Sequence, residues 1–291
     1  MPETPPELDA AADHDFDEEA LAEAYNRGLA AEKAGRPDEA ACAYRQALAI
    51  DPADHGGVSI RLAALGLGEA PEKMPDAYVA TLFDQHADAF DDILVGQLGY
   101  GVPGLMRAML ELHAPGIHRR VLDLGCGTGL SGAALRDIAD HITGADLSER
   151  MVETAYDRGV YEDLYTGEAV SFLEEFEEED GSRPSWDLIV ATDVFPYLGR
   201  IEPIINGAAA RLTPGGLFGF STETLGEVDF GGRSYTVGAK QRFAHAADYV
   251  RTVLEANGFF ILAMDDITVR LEEGTPVPGH LVLARLGQHR A

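Results

Sequence analysis

The chain has 291 residues, of which 46% are apolar, enough to build one large domain with a full core and a small appendage. Its 22 basic residues against 50 acidic ones leave a formal net charge of −28. That field repels phosphate backbones, which argues against nucleic acid as a partner, and it keeps molecules apart in solution.

Residues 1–17 combine Pro, Asp and Glu with few large apolar groups, so ordering them costs entropy without burial, and a disordered acidic tail is expected. The absence of Lys or Arg there is unlike the positive start of an export signal. No apolar run along the chain approaches the roughly 20 residues of a membrane helix, so no membrane association is expected. Cys42 and Cys126 are spaced neither as a metal pair nor as a disulfide framework, which fits a reducing cytoplasm.

From Glu18 the pattern turns helical. Tyr25, Gly28, Gly35, Ala40, Tyr44, Ala47 and Pro52 place small residues where paired helices approach, a turn glycine between them, a ring in the gap and a stop at the end. Residues 18–70 therefore resemble a single tetratricopeptide (TPR) repeat, with its aromatic one place late at Tyr25. A lone repeat cannot bury its own face, so the helix from Gly56 to Leu65 or the following domain must cover it. Two readings stay open: a docking platform for a protein partner, or a packing appendage or homodimer contact.

Gly66 to Pro71 and Pro75 punctuate a boundary. Residues 75–118 are expected to be helical, and Tyr78, Phe83, His86 and Phe90 recur at helical spacing, either packed on a sheet or closing over a ligand. Beyond them, apolar strands alternate with helices: strand 119–124, helix 131–139, strand 142–146, helix 148–158, strand 164–167, helix 169–177, strand 186–192, helix 201–212, strand 216–221, helix 246–257, and strands 259–269 and 280–286. Residues 119–291 thus read as a doubly wound α/β domain with a seven-stranded, mostly parallel sheet. The segment 272–279 is too short for a helical crossover, so the last two strands form a hairpin.

Val121-Leu-Asp-Leu-Gly125-Cys-Gly127-Thr-Gly129 lies between the first sheet strand and its helix, where doubly wound folds bind ligands. It resembles motif I of class I S-adenosylmethionine (SAM) dependent methyltransferases, and with the repeat before it the chain resembles bacterial TPR-containing methyltransferases. The resemblance implies that Gly125, Cys126, Gly127 and Gly129 bring backbone against SAM while Asp123 holds the loop and the ammonium end. Gly127, Gly129 and Gly132 also fit a dinucleotide fingerprint, but a pyrophosphate would be repelled by Asp123, whereas SAM brings cations. Asp146, about 20 residues on, is placed to accept both ribose hydroxyls, with Leu147 and Met151 as apolar cover for the adenine. By resemblance Glu168 accepts from the adenine amino group beside the Ala169 amide; the competing reading of Glu168 is a helix N-cap.

Strand 186–192 ends in Thr192, Asp193 and Val194, which border the cofactor, followed by Tyr197 beside the methyl group. The Asn/Asp-Pro-Pro-Tyr/Phe signature of amino-group methyltransferases acting on adenine or glutamine is missing. The polar, Gly-rich segment 221–245 suits a substrate-facing loop, and His245, with Tyr197 and Arg242, is the expected catalytic set, His245 as general base. The alternative is that His245 and Arg242 serve structural ends. The expected activity is methyl transfer from SAM, which becomes S-adenosylhomocysteine, to an O or N atom of a small-molecule acceptor. The alternatives are recruitment of a protein substrate by the repeat, or SAM binding without turnover.

Overall fold

The computed structural model describes residues 17–87 and 90–288, with the side chain of His86 excepted; the acidic tail expected over residues 1–17 lies outside it apart from Asp17. Helix α1 (Glu18–Lys33) starts where the Asp17 carboxylate accepts the Ala20 amide over 2.9 Å. Gly35, at φ +68°, turns the chain into α2 (Pro37–Ile50), which opens on a proline whose missing N–H costs nothing at that position. Tyr44 is fully buried against Gly28, where any side chain would overlap its ring, and its hydroxyl donates to Glu32 over 2.5 Å. Tyr44 thus fills the inter-helix gap beside Gly28, as the sequence pattern led us to expect.

Helix α3 (Val58–Ala64) is capped by Asp54, which accepts the amides of Val58 and Ser59 at 2.6 and 2.9 Å. It has two apolar faces. Val58 and Leu62 join Ala24, Ala31 and Ala47 in the core of the helical hairpin, while Ile60 joins Met74, Val79, Val237 and Phe243 of the larger domain. The strap that follows is stitched to a distant loop: Met74 N–H donates to the Tyr197 carbonyl, and the amides of Gly199 and Arg200 donate to that of Glu72, each over 2.8 Å. After it come α4 (Asp76–His86), a wide π-type turn at Asp92–Gln97 and α5 (Val102–His113).

The α/β domain continues with β1 (His118–Leu124), α6 (Leu130–Leu135), β2 (Ala139–Asp146), α7 (Glu149–Arg158), β3 (Asp163–Thr166) and α8 (Ala169–Glu175). It then runs through β4 (Trp186–Ala191), α9 (Glu202–Arg211), β5 (Leu212–Glu223), a short α10 (Glu227–Phe230), β6 (Tyr235–Val237), β7 (Phe243–His245) and α11 (Ala247–Ala256), and ends with β8 (Phe259–Glu272) and β9 (Thr275–Leu286). Parallel strands lie in the order β3-β2-β1-β4-β5; β9 runs antiparallel between β5 and β8, and β7 meets β5 only at Glu223, where β6 pairs with β7. Side chains alternate between two cores. Leu122, Ile189, Phe218 and Val282 face α8, α9 and α11, whereas Val121, Leu188, Leu217 and Leu283 face α5 and α6.

The sheet has nine strands rather than the expected seven. The extra pair, β6 and β7, are three residues each inside the segment read as a loop, too short to show alternation. Residues 136–138 leave the helix as a 3₁₀ turn and Ala139 already belongs to β2. The final hairpin turns on Glu273 and Gly274 alone, at φ +52° and +79°, the left-handed pair that two-residue hairpins require, so most of the connection expected over 272–279 belongs to the strands.

Candidate active site

β1 is flanked by β2 on one side and β4 on the other, so the crevice opens where the winding reverses. The loop after β1 is held by its own amides. Gly125 and Cys126 donate to the Ala145 carbonyl at 2.8 and 3.1 Å, Gly129 donates to that of Cys126 at 2.9 Å, and Gly127 donates to the Asp146 carboxylate at 2.8 Å. Gly125 and Gly127 have φ of +64° and +53°, and a side chain at Gly125 would strike Val194. With these donors engaged and two acids beneath them, the loop does not offer the amide cradle that a pyrophosphate needs, and it suits a cationic ligand.

A cavity open to solvent at its mouth spreads over this loop. Its wall contains Gly125, Cys126, Gly127, Asp146, Leu147, Glu168, Ala169, Thr192, Asp193, Val194 and Tyr197 of the expected set. Asp146 is fixed by the Gly127 amide and, at 2.9 Å, by that of Ser148. Burial pushes its carboxyl above the usual range against these two donors. Glu168 is the N-cap of α8: one oxygen accepts from Ser171 N–H at 2.8 Å while the other lies 3.7 Å from Lys73 Nζ. Thr192 shares a 2.6 Å hydrogen bond with Ser131.

On the β4 side, Asp193 sits at φ +62°, a conformation that few residues other than Gly, Asn and Asp adopt, and its amide donates to Ser221 Oγ over 3.0 Å. Its Oδ1 is buried without a hydrogen-bond donor, 3.7 Å from the equally unpaired Nη1 of Arg270. Arg270, buried on β8, also holds Glu223 at 2.6 Å and Glu272 at 2.7 Å. Arg242 donates to the Tyr197 hydroxyl over 2.8 Å and lies 5.4 Å from that ring's centroid. Burial pushes the Tyr197 hydroxyl up to about 12 although Arg242 opposes it.

Five expected residues are absent from the wall. His245 is wholly buried, and its Nε2 lies 2.8 Å from the Leu198 carbonyl and 3.2 Å from that of Gly199, so it pins the loop after Tyr197 as a structural group rather than facing an acceptor as a base. Burial lowers its pKa to about 4. Arg242 stands behind Tyr197 instead of lining the cavity. Asp123 lies below the loop, where Tyr161 donates to it over 2.7 Å and burial pushes it up to about 7. Gly129, at φ +91°, also has Tyr161 and Arg158 close beside it, and Tyr161 fills the space beside Gly132 and Gly144. Met151 is fully buried and covers nothing in the cavity.

The wall also holds residues that the sequence reading left out or named without a role there. The strap supplies Lys73 and Met74, and the segment before β1 supplies Val79, Phe83, Phe90, Leu94 and Tyr100. Phe83 meets Phe90 and Tyr197 edge-on at 5.8 and 5.3 Å. Two carboxylates fasten that segment to the glycine loop and α7: Asp84 accepts from Ser148 Oγ and Asp91 from Thr128 Oγ1, each at 2.5 Å, and Arg158 reaches Asp91 as well. The recurrence of Phe83 and Phe90 was the one signal of this wall in the sequence.

Residues 122–218 match the family model of a methyltransferase domain. Over 104 residues the chain is 28% identical to a ubiquinone biosynthesis O-methyltransferase of Bordetella avium, an overlap of 36% of this chain and 42% of that one. The chain thus spans less than half the length of that curated relative. An S-adenosylmethionine-dependent methyltransferase from Clostridium acetobutylicum shares the fold with a TM-score of 0.50 at 15% identity, over 71% of this chain and 99% of that one. The DhpI–SAH complex does so at 0.50 and 19%, over 72% and 96%. Residues 122–218 therefore carry a methyltransferase domain, set on a Rossmann-like α/β fold. Among the described residues no helix is long and apolar enough to cross a membrane.

Proposed function

We propose that this class I methyltransferase moves a methyl group from SAM to an oxygen or nitrogen atom of a small-molecule acceptor. The observation that carries the reading is one cavity lined by Asp146, Leu147 and Glu168 past the ends of β2 and β3 and by Asp193 and Tyr197 past the end of β4, with Phe83 and Phe90 from the segment before β1. Donor and acceptor then share a single space on either side of the glycine loop. SAM, when bound, supplies an activated methyl group on a cationic sulfur.

The chain's own residues do the rest. Asp146 has lone pairs left to accept the ribose hydroxyls while its backbone donors hold it still. Leu147 and Ala169 offer apolar cover, and the Glu168 oxygen not committed to Ser171 accepts from an amino group. Phe83 and Phe90 close the acceptor side as a lid, which excludes water and orients the nucleophile, the contribution that positioning makes to such displacements.

The helical hairpin is read as a support for the strap, since α3 packs on both the hairpin and the domain. The TPR assignment, recruitment of a protein partner and a homodimer through the hairpin are weaker readings, resting on a cleft beside Tyr25, Asp51 and Asp54. Calorimetric titration with SAM, S-adenosylhomocysteine and NAD tests the function. Binding of the first two, followed by S-adenosylhomocysteine release with small acceptors, is expected; binding of NAD alone overturns it.

A further inference from the structure

Asp193 is held by an arrangement that packing alone does not require. Its backbone is in the left-handed region, pinned through Ser221, and Oδ1 is turned inward to Arg270. The side chain keeps 16% of its surface, and that remainder belongs to the cavity wall. Strained backbone at the end of a central strand is where folds store positioning for chemistry.

The charges around it are chosen on every side. Burial pushes the Asp193 carboxyl above its usual range and Glu272 adds to this, while Arg242 and Arg270 pull it back toward ionisation. Glu223 is tied to Arg270, Tyr197 accepts from Arg242, and the buried Tyr100 faces Asp193 from the segment before β1. Asp193 shares its cavity wall with the rings of Phe83, Phe90 and Tyr197, which meet one another edge-on.

We infer that Asp193 is the proton acceptor of the reaction and that the acceptor is an uncharged hydroxyl on a flat, mostly apolar body seated among Phe83, Phe90 and Tyr197. This rests on the methyltransferase reading. A hydroxyl donates to the carboxylate and leaves an oxygen lone pair for the methyl carbon. A carboxylate in that place is repelled by Asp193, Glu223 and Glu272, which outnumber Arg242 and Arg270, and an ammonium has no lone pair to offer the methyl carbon. In the displacement the oxygen–carbon bond forms as the sulfur–carbon bond breaks with its electron pair going to sulfur; the hydroxyl proton passes to Asp193 and then to solvent. Balance needs no other reactant.

The test compares the full chain with D193N, which keeps the shape and tolerates the same backbone region. Both are titrated with S-adenosylhomocysteine and then, in its presence, with 4-nitrophenol, whose neutral and ionised forms absorb differently. The wild type should bind the neutral phenol. D193N, with its arginines less compensated, should bind cofactor equally and shift the probe toward phenolate. Turnover on a panel of phenols should exceed that on anilines of the same skeletons and fall by about 100-fold or more in D193N, the size of a lost general base. Cofactor binding with methylation of anilines but not phenols, or with no phenol bound or methylated, overturns this assignment and leaves the methyltransferase reading standing. Absence of cofactor binding in the wild type overturns both. Equal phenol turnover by D193N removes Asp193 from the role.

Discussion

The amide of Gly127 donates to Asp146 Oδ2 over 2.8 Å, and with the two amides that the Ala145 carbonyl accepts it ties the glycine loop after β1 to the carboxyl end of β2. One side chain thereby shapes the loop and presents lone pairs to the ribose. Asp146→Ala should weaken SAM binding by on the order of 1–3 kcal/mol, the cost of unpaired polar groups. Calorimetry that returns the wild-type affinity would place the ribose elsewhere.

Asp123 titrates near neutrality because burial disfavours its charge and Asp146 adds repulsion, partly offset by Tyr161. A bound cation favours the ionised form, so SAM binding should release protons. The observed binding enthalpy should then change with the ionisation enthalpy of the buffer at about pH 6–7, and lose that dependence about two units higher, where the carboxyl is already ionised. Asp123→Asn should abolish most of the effect; a buffer-independent enthalpy at neutral pH contradicts it.

His245 carries the opposite linkage. Its pKa falls from 6.5 to about 4 on burial, so the unfolded chain binds the extra proton between those values. Stability from this group is complete above pH 6.5 and is lost as pH falls toward 4, by about 3 kcal/mol in full. His245→Ala should lower the unfolding midpoint by leaving the Leu198 carbonyl unpaired, flatten this part of the pH profile, and leave turnover per folded molecule near wild type. A selective loss of turnover would return His245 to the chemistry.

Phe83 meets both Phe90 and Tyr197 and touches no part of the glycine loop among the contacts described for it. Phe83→Ala should raise the acceptor KM by roughly tenfold, the scale of one or two aromatic pairs, with SAM affinity within about twofold of wild type, an effect well under 1.4 kcal/mol. Steady-state kinetics beside calorimetry separates the two quantities; loss of SAM affinity alone would remove Phe83 from the acceptor side.

The features legible in the sequence were those with local causes. Gly125 and Gly127 stand where the backbone needs positive φ, and Asp146 follows at the end of the next apolar strand. What stayed hidden depended on distant pairing. His245 was placed on an open loop, but β6 and β7 bury it; Arg270 lies in an apolar strand and finds Glu223 47 residues away. Gly129 takes a positive φ like Gly125 and Gly127, whereas Gly132, which fitted a dinucleotide fingerprint, is needed by Tyr161, about thirty residues later in the chain. Met151 sits on the α7 face turned inward, a distinction that one turn of helix decides.

The strap between hairpin and domain also sets a timetable. Glu72 meets Arg200 across 128 residues of sequence, so during synthesis at about 5–20 residues per second the hairpin waits roughly 6–25 s for its partner loop to be made. Ile60 and Met74 wait longer still for Val237 and Phe243, and until those are made the nascent chain carries an uncovered apolar seam.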